Sequence, residues 1–170
     1  SPLALLVLGA CGGGGGGVSS GPSGGSPSGT VVGNVVKGPL SNALVGLDYN
    51  GDGAVDSLTV RTDADGRFTL TPAQASYTII AMTDDSTIDA SSGVAFSGIT
   101  MTAPTGATVV TPTTTLMNEG SLTAAQVSEV LGLPEGVDPL TFNAFAAGVN
   151  AADALAVEKA SQQIMSVVNA

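Results

Sequence analysis

The sequence predicts a mainly β protein, an antiparallel sandwich of about seven strands followed by a small helical C-terminal segment. Three observations carry this reading. Short β-branched runs recur between Thr30 and Thr115, each bounded by Gly, Pro, Asn or Asp. No long helical pattern separates them, so neighbouring strands join through hairpins rather than through crossover helices. Beyond Thr115 the spacing of apolar residues changes to that of a helix.

The chain begins with residues 3–10, LALLVLGA, an apolar run too short to span a bilayer, which leads into Cys11 and the hexaglycine Gly12–Gly17. Leu8-Gly9-Ala10-Cys11 resembles the lipobox of bacterial lipoproteins. That resemblance implies that residues 1–11 are a signal remnant, with Cys11 the site of lipidation and the lipid the link to a membrane. Residues 12–29 are almost wholly Gly, Ser and Pro and bury nothing, so they read as a tether. A flexible segment of that length spans about 20–25 Å. The glycine run lacks the preceding strand and following Lys-Ser/Thr of a phosphate-binding loop.

Residues 30–115 hold the strands, expected near Thr30–Lys37, Ala43–Tyr49, Leu58–Thr62, Arg67–Thr71, Tyr77–Thr83, Val94–Thr102 and Ala107–Thr111. In Tyr77–Thr83 the alternation puts Tyr77, Ile79 and Ala81 on one face and Thr78, Ile80 and Met82 on the other. Gly38-Pro39 and Asp65-Gly66 supply turns. Residues 116–170 are expected to be helical. Thr123-Ala-Ala-Gln126 is a capping box, Leu122 and Val127 form a hydrophobic staple, and Gly132 with Pro134 ends that helix. Asn150 caps a longer helix whose stripe is Val157, Ala160, Ser161, Ile164 and Val168, while Phe142 and Phe145 anchor a short turn between the two. No helix breaker follows the last apolar positions, which suggests that the sequence is a fragment.

Composition narrows the chemistry. The chain has 14 acidic against 4 basic side chains, a net charge of −10 and no His. Such a surface repels phosphates and suits cations, so a nucleic-acid partner is not expected. Without His the commonest general base and transition-metal ligand are missing, and a Ser or Thr nucleophile would lack an activating partner because Lys37 and Lys159 sit on a strand end and a helix. The chain therefore reads as non-enzymatic.

The stretch Leu47–Asp56, LDYNGDGAVD, carries the most specific chemistry. Asp48, Asn50, Asp52 and Asp56 stand at the first, third, fifth and ninth positions of a calcium-type loop, with Gly53 at the sixth. Ca2+ takes hard oxygen donors, and alternate side chains on a curling loop can converge, with the Ala54 carbonyl filling a gap. The twelfth position is Thr59 rather than Glu, and the flanks read as strands, so a helix-loop-helix sensor is not expected. Asp63, one strand later in TDADG, either closes the coordination shell or caps the next hairpin, the role preferred for Asp65. The alternative for the whole stretch is an Asn/Asp-rich turn without an ion. Asp84, Asp85 and Asp89 are expected in a solvated loop.

VVGNVVKGPLSNALVGLDYNGDGAVDS followed by VRTDADGRFTL resembles the carboxypeptidase regulatory-like modules of bacterial surface proteins, and the segment after it is similar to the region C-terminal to such modules in secreted proteins of Gram-negative bacteria. The resemblance implies an Ig-like, transthyretin-like β-sandwich in an extracellular, often calcium-bearing structural or adhesive module. With the lipobox it implies a cell-surface protein anchored in the outer membrane and engaging a surface or matrix partner. A different class of function is a self-assembling fibre, in which LALLVLGA is retained and adds as a strand to a neighbour's open sheet.

Overall fold

The computed structural model describes residues 29–168, the side chain of Val168 excepted. The predicted signal remnant, Cys11 and the predicted tether as far as residue 28 lie outside the described residues. Those described form, in chain order, β1 Val31–Val35, β2 Leu40–Ser41, β3 Leu44–Asp48, β4 Val60–Arg61, β5 Arg67–Leu70, β6 Thr78–Met82, β7 Ile88–Asp89, β8 Val94–Ala95, β9 Thr100–Pro104, β10 Val109–Val110, α1 Pro112–Glu119, α2 Ala124–Leu131 and α3 Ala151–Val168. The chain is mainly β. Its strands make three sheets, ordered β10-β1-β5, β2-β7-β8 and β4-β3-β6-β9, with every pairing antiparallel except that of β1 with β10.

Alternation places the core. In β5, Phe68 and Leu70 are buried while Arg67 and Thr69 are exposed, as a strand with one wet face requires. Phe68, Leu70, Val35 and Val110 of the first sheet share one apolar cluster with Val45, Leu47, Ile79, Ala81, Met101 and Ala103 of the four-stranded sheet. Of the two faces expected for β6, the one with Ile79 and Ala81 is that turned to this cluster. Ile80 is also buried, 2% exposed, on the opposite face.

The position of α1 departs from the expected boundary. The β body is expected to reach Thr115, yet Thr111 caps a helix here: its hydroxyl accepts from Thr114 N–H while Thr114 Oγ1 accepts from Thr111 N–H. The helix also finishes the sheet. The Thr114 hydroxyl donates to the Thr102 carbonyl at 2.9 Å, and Thr102 N–H donates to Thr115 Oγ1 at 3.0 Å. The open edge of β9 is thereby covered by side chains in place of a strand. Because α1 starts at Pro112, it crosses the boundary expected between residues 115 and 116.

Two further expectations are corrected. Val94–Thr102 is not one strand: β8 and β9 are separated by a bend at Gly98, whose φ of 78° only glycine adopts freely. Asp89 is not solvated. It is 4% exposed and lies 3.4 Å from Lys37 Nζ, drawn inward because two-residue β7 pairs with β2 beside the core. The remaining helices follow the sequence. Thr123 and Gln126 form the expected box, Gly132 closes α2 at φ 61°, and Asn150 Oδ1 accepts the N–H groups of Ala152 and Asp153 at the start of α3.

Candidate metal loop

The connection from β3 to β4 is built from alternating Asx residues. Asp48 Oδ1 accepts from Asn50 N–H at 3.0 Å, Asn50 Oδ1 from Asp52 N–H at 2.8 Å, and Asp52 Oδ1 from Ala54 N–H at 2.8 Å. Each bond closes a side chain onto the backbone two residues on, so three consecutive Asx turns wind the segment into a curl. Gly51 and Gly53 carry φ of 79° and 82° and make that curl passable.

Asp48 is the pivot. It is 3% exposed, and besides Asn50 it accepts from Gly51 N–H at 2.7 Å on Oδ1 and from Gly53 N–H at 2.9 Å on Oδ2. Burial pushes its carboxyl upward, but the N–H groups of Gly51, Gly53, Asn50 and Asp52 together outweigh burial and hold it below the usual carboxylate range. Asp48 is therefore a charged, buried anchor. The far end of the loop is tied back by Asp56, whose Oδ2 accepts from Tyr49 N–H at 2.8 Å. Asp56 and Ser57 also donate their N–H groups to the Leu47 carbonyl, and Ser57 Oγ accepts from Leu47 N–H. Val55 then lies over β3 where Gly46 has no side chain: a Cβ there would stand 2.3 Å from Val55 Cγ1.

The structure thus brings Asp48, Asn50, Asp52, Ala54 and Asp56 into one loop. Asp63 is not with them. In the β3–β4 register Leu44 faces Arg61 and Val45 faces Val60, so the chain beyond Arg61 runs past the start of β3, whereas Asp48 is its last residue. Asp63 Oδ1 instead accepts from the N–H groups of Asp65 and Arg67, both at 2.9 Å, and caps the turn that carries the chain from β4 in one sheet to β5 in another. The turn-capping role belongs to Asp63, although the turn joins two sheets and is not a hairpin, and the antiparallel register of β3 and β4 is what removes it from the loop.

Two clefts flank the curl. One, about 420 Å3, is lined by Asp48, Asp52, Thr78, Thr102, Asn118 and Glu119. The other, about 460 Å3, is lined by Tyr49, Asp56, Leu58, Val60, Leu70 and Ala73, and Tyr49 Oη accepts from Ala73 N–H at 2.8 Å. Asn118 and Glu119 had no signal in the sequence, because their position depends on α1 crossing β9.

The donor chemistry of the loop suits a hard cation. Its candidate ligands are carboxylates, one amide oxygen and one carbonyl, all oxygen, and each carboxylate oxygen engaged by a single N–H keeps a further lone pair. Among the described residues no three Asp, Glu, Cys or His side chains gather as a metal-holding group, so a bound ion would draw on the amide and carbonyl as well as the carboxylates. Asp84 and Asp89 are committed elsewhere. The Arg61 guanidinium, 2.8 Å from Asp84, and the bonds from Ser86 hold the Asp84 carboxyl far below its ordinary range. Burial raises that of Asp89, and the Ser91 donors with Lys37 lower it by more. Among the described residues no helix is long and apolar enough to cross a membrane. Compared with protein-family models, curated proteins and solved structures, the chain matches none of them.

Proposed function

We propose that the protein is a non-enzymatic, calcium-stabilised module of the bacterial cell surface, with an Ig-like, transthyretin-like β-sandwich as its body and a structural or adhesive role. The observation that carries this reading is the loop. Asp48, Asn50 and Asp52 lie at alternate positions of a curl that their own Asx turns preshape, and the curl joins adjacent strands of the largest sheet. Ca2+ supplies one thing when bound, a divalent charge that neutralises the clustered carboxylates. The chain does the rest. Asp48 fixes the Gly51 and Gly53 amides, Asp56 fixes that of Tyr49, and the acceptor oxygens of residues 48, 50, 52 and 56 with the Ala54 carbonyl provide the donors.

An extracellular setting fits a site of this kind, since millimolar calcium occupies even a site with a Kd of about 10⁻⁴–10⁻³ M. Occupancy of the folded loop alone shifts the folding equilibrium toward the native state. Membrane attachment through a lipid on Cys11 rests on the lipobox-like sequence and completes the proposal as an outer-membrane-anchored module with a surface or matrix partner.

Thermal unfolding of chelated protein, with Ca2+ then added, tests the loop. The expected result is a rise in Tm that grows with calcium concentration and disappears in the Asp48→Ala, Asp52→Ala double variant. A melting curve indifferent to Ca2+ leaves the loop as an Asx-rich turn and ends the calcium reading. Mass spectrometry of the mature N-terminus tests the anchor: diacylated Cys11 is expected, and an intact Ser1 would overturn lipidation and favour strand addition by residues 3–10.

A further inference from the structure

We propose that Asn50 is a self-modification site, converted from amide to acid by attack of its own backbone, and that Asp48 sets the rate. Of the asparagines in the sequence, Asn50 alone is followed by Gly, and the missing side chain is what lets the next backbone nitrogen approach. Asn50 and Gly51 are both exposed, and nothing lies within 4 Å of the place a Gly51 Cβ would occupy.

The chemistry needs only water. Gly51 N loses its proton to solvent base and bonds to Asn50 Cγ, closing a five-membered succinimide, and Nδ2 leaves as ammonia. Water then opens the ring at either carbonyl, giving aspartate or the isomer in which the backbone runs through the side-chain carboxyl. In net terms an amide and a water become a carboxylic acid and ammonia.

The loop restrains each participant. Gly51 N–H is donated to Asp48 Oδ1 at 2.7 Å, and a carboxylate against that proton disfavours the amide anion the attack requires. Asn50 Oδ1 accepts from Asp52 N–H at 2.8 Å, and Nδ2 donates to Asp52 Oδ2 at 3.1 Å, so Cγ reaches the nitrogen only after both bonds break. Opening the curl removes all three restraints together. The aspartate product adds a negative charge at the centre of the loop, while the isomer lengthens the backbone and misplaces the Gly51 and Gly53 amides that Asp48 holds. None of this depends on a bound cation.

The full chain is incubated in mildly alkaline buffer, and the amide-to-acid mass change is localised by peptide mapping. Asn50 is expected to convert ahead of every other Asn. It should do so at least about tenfold faster in urea-unfolded protein, the factor that one charge-assisted hydrogen bond confers. Asp48→Ala should raise the folded rate toward the unfolded one, and Asn50→Gln should remove the modification from the loop. Equal rates in folded and unfolded wild-type chain, or first conversion at another Asn, would overturn the proposal. That comparison decides the matter even where far-UV circular dichroism shows that Asp48→Ala has lost its fold.

Discussion

Gly53 and Gly46 are glycines for different reasons. A Cβ on Gly53 would meet nothing within 4 Å, so its constraint is the φ of 82° alone. Gly46 lies in regular strand, and its constraint is Val55, 2.3 Å from where a Cβ would stand. Gly53→Ala is accordingly expected to cost about 1–2 kcal/mol, the penalty of left-handed backbone for an L-residue, and no change at a neighbouring side chain should restore it. Gly46→Ala is expected to cost about 1–3 kcal/mol by overpacking, and Val55→Ala should recover part of that loss. Urea titration of the two single variants and of the Gly46→Ala, Val55→Ala pair measures both. Additive losses in the pair would show that the loop does not rest on β3 as described. Of the same kind is the contrast between Asp48 and Asp63: both stand beside Gly-containing turns in the sequence, and neither carboxylate is free, because each is taken up by backbone N–H groups of its own turn.

Between α1 and β9, threonine hydroxyls hold an element in place, and the most buried of them is that of Thr114. Thr114 is fully buried, and its Oγ1 accepts the Thr111 N–H while donating to the Thr102 carbonyl. Thr114→Val keeps the shape, strands the buried Thr111 N–H and leaves the Thr102 carbonyl with only the longer bond from Thr115 Oγ1, so a loss of about 1–3 kcal/mol is expected. Thr113, one residue earlier, is also buried, yet its Oγ1 has no hydrogen-bond partner. Thr113→Val removes a desolvated hydroxyl that bonds to nothing, so it should leave stability unchanged or raise it. Chemical denaturation of the two variants separates these outcomes, and equal losses would contradict the covering of β9 by α1. Neither residue could be told from the other in the run Thr113-Thr-Thr115, since the distinction lies in which hydroxyl meets the sheet.

At the scale of the whole fold, three carboxylates are held by partners that their burial or position brings to them. Asp48 and Asp89 are buried, and Asp84 is half-exposed against Arg61. All three carboxyls lie below their ordinary values, Asp48 because backbone donors outweigh burial, Asp84 chiefly through Arg61, and Asp89 because Ser91 and Lys37 outweigh burial. A group depressed in the folded state contributes stability that is complete above its unfolded value, about 3.9 for Asp, and is lost as pH falls through that value toward the folded one. No His is present to titrate nearer neutrality. Stability is therefore expected to stay level from about pH 7 to pH 5 and to drop below about pH 4. Urea midpoints across that range check it, and the Asp48→Asn, Asp89→Asn double variant should show a shallower acid loss. The exposed Arg61–Asp84 pair should contribute little at neutral pH.

Local rules made much of the fold legible. β-Branched runs bounded by turn residues mark strands at all seven expected sites, Val94–Thr102 being split in two, and the capping box, the αL glycine at position 132 and Asn150 bracket α2 and α3, because turn and cap chemistry acts over a few residues. The curl of residues 48–56 was legible for the same reason. Features that depended on distant chain were not. Strands β2 and β7, two residues each, carry no periodic signal and exist only through their pairing with each other and with β8. Sequence alone thus determined most of the longer strands, the turns between them, α2 and α3, and the curl in which hard oxygen donors alternate. Tertiary structure decided that Asp63 leaves the cluster, that Asp89 is buried against Lys37, and that Pro112–Glu119 coils over an open edge, since register and packing are set by partners far away in the chain.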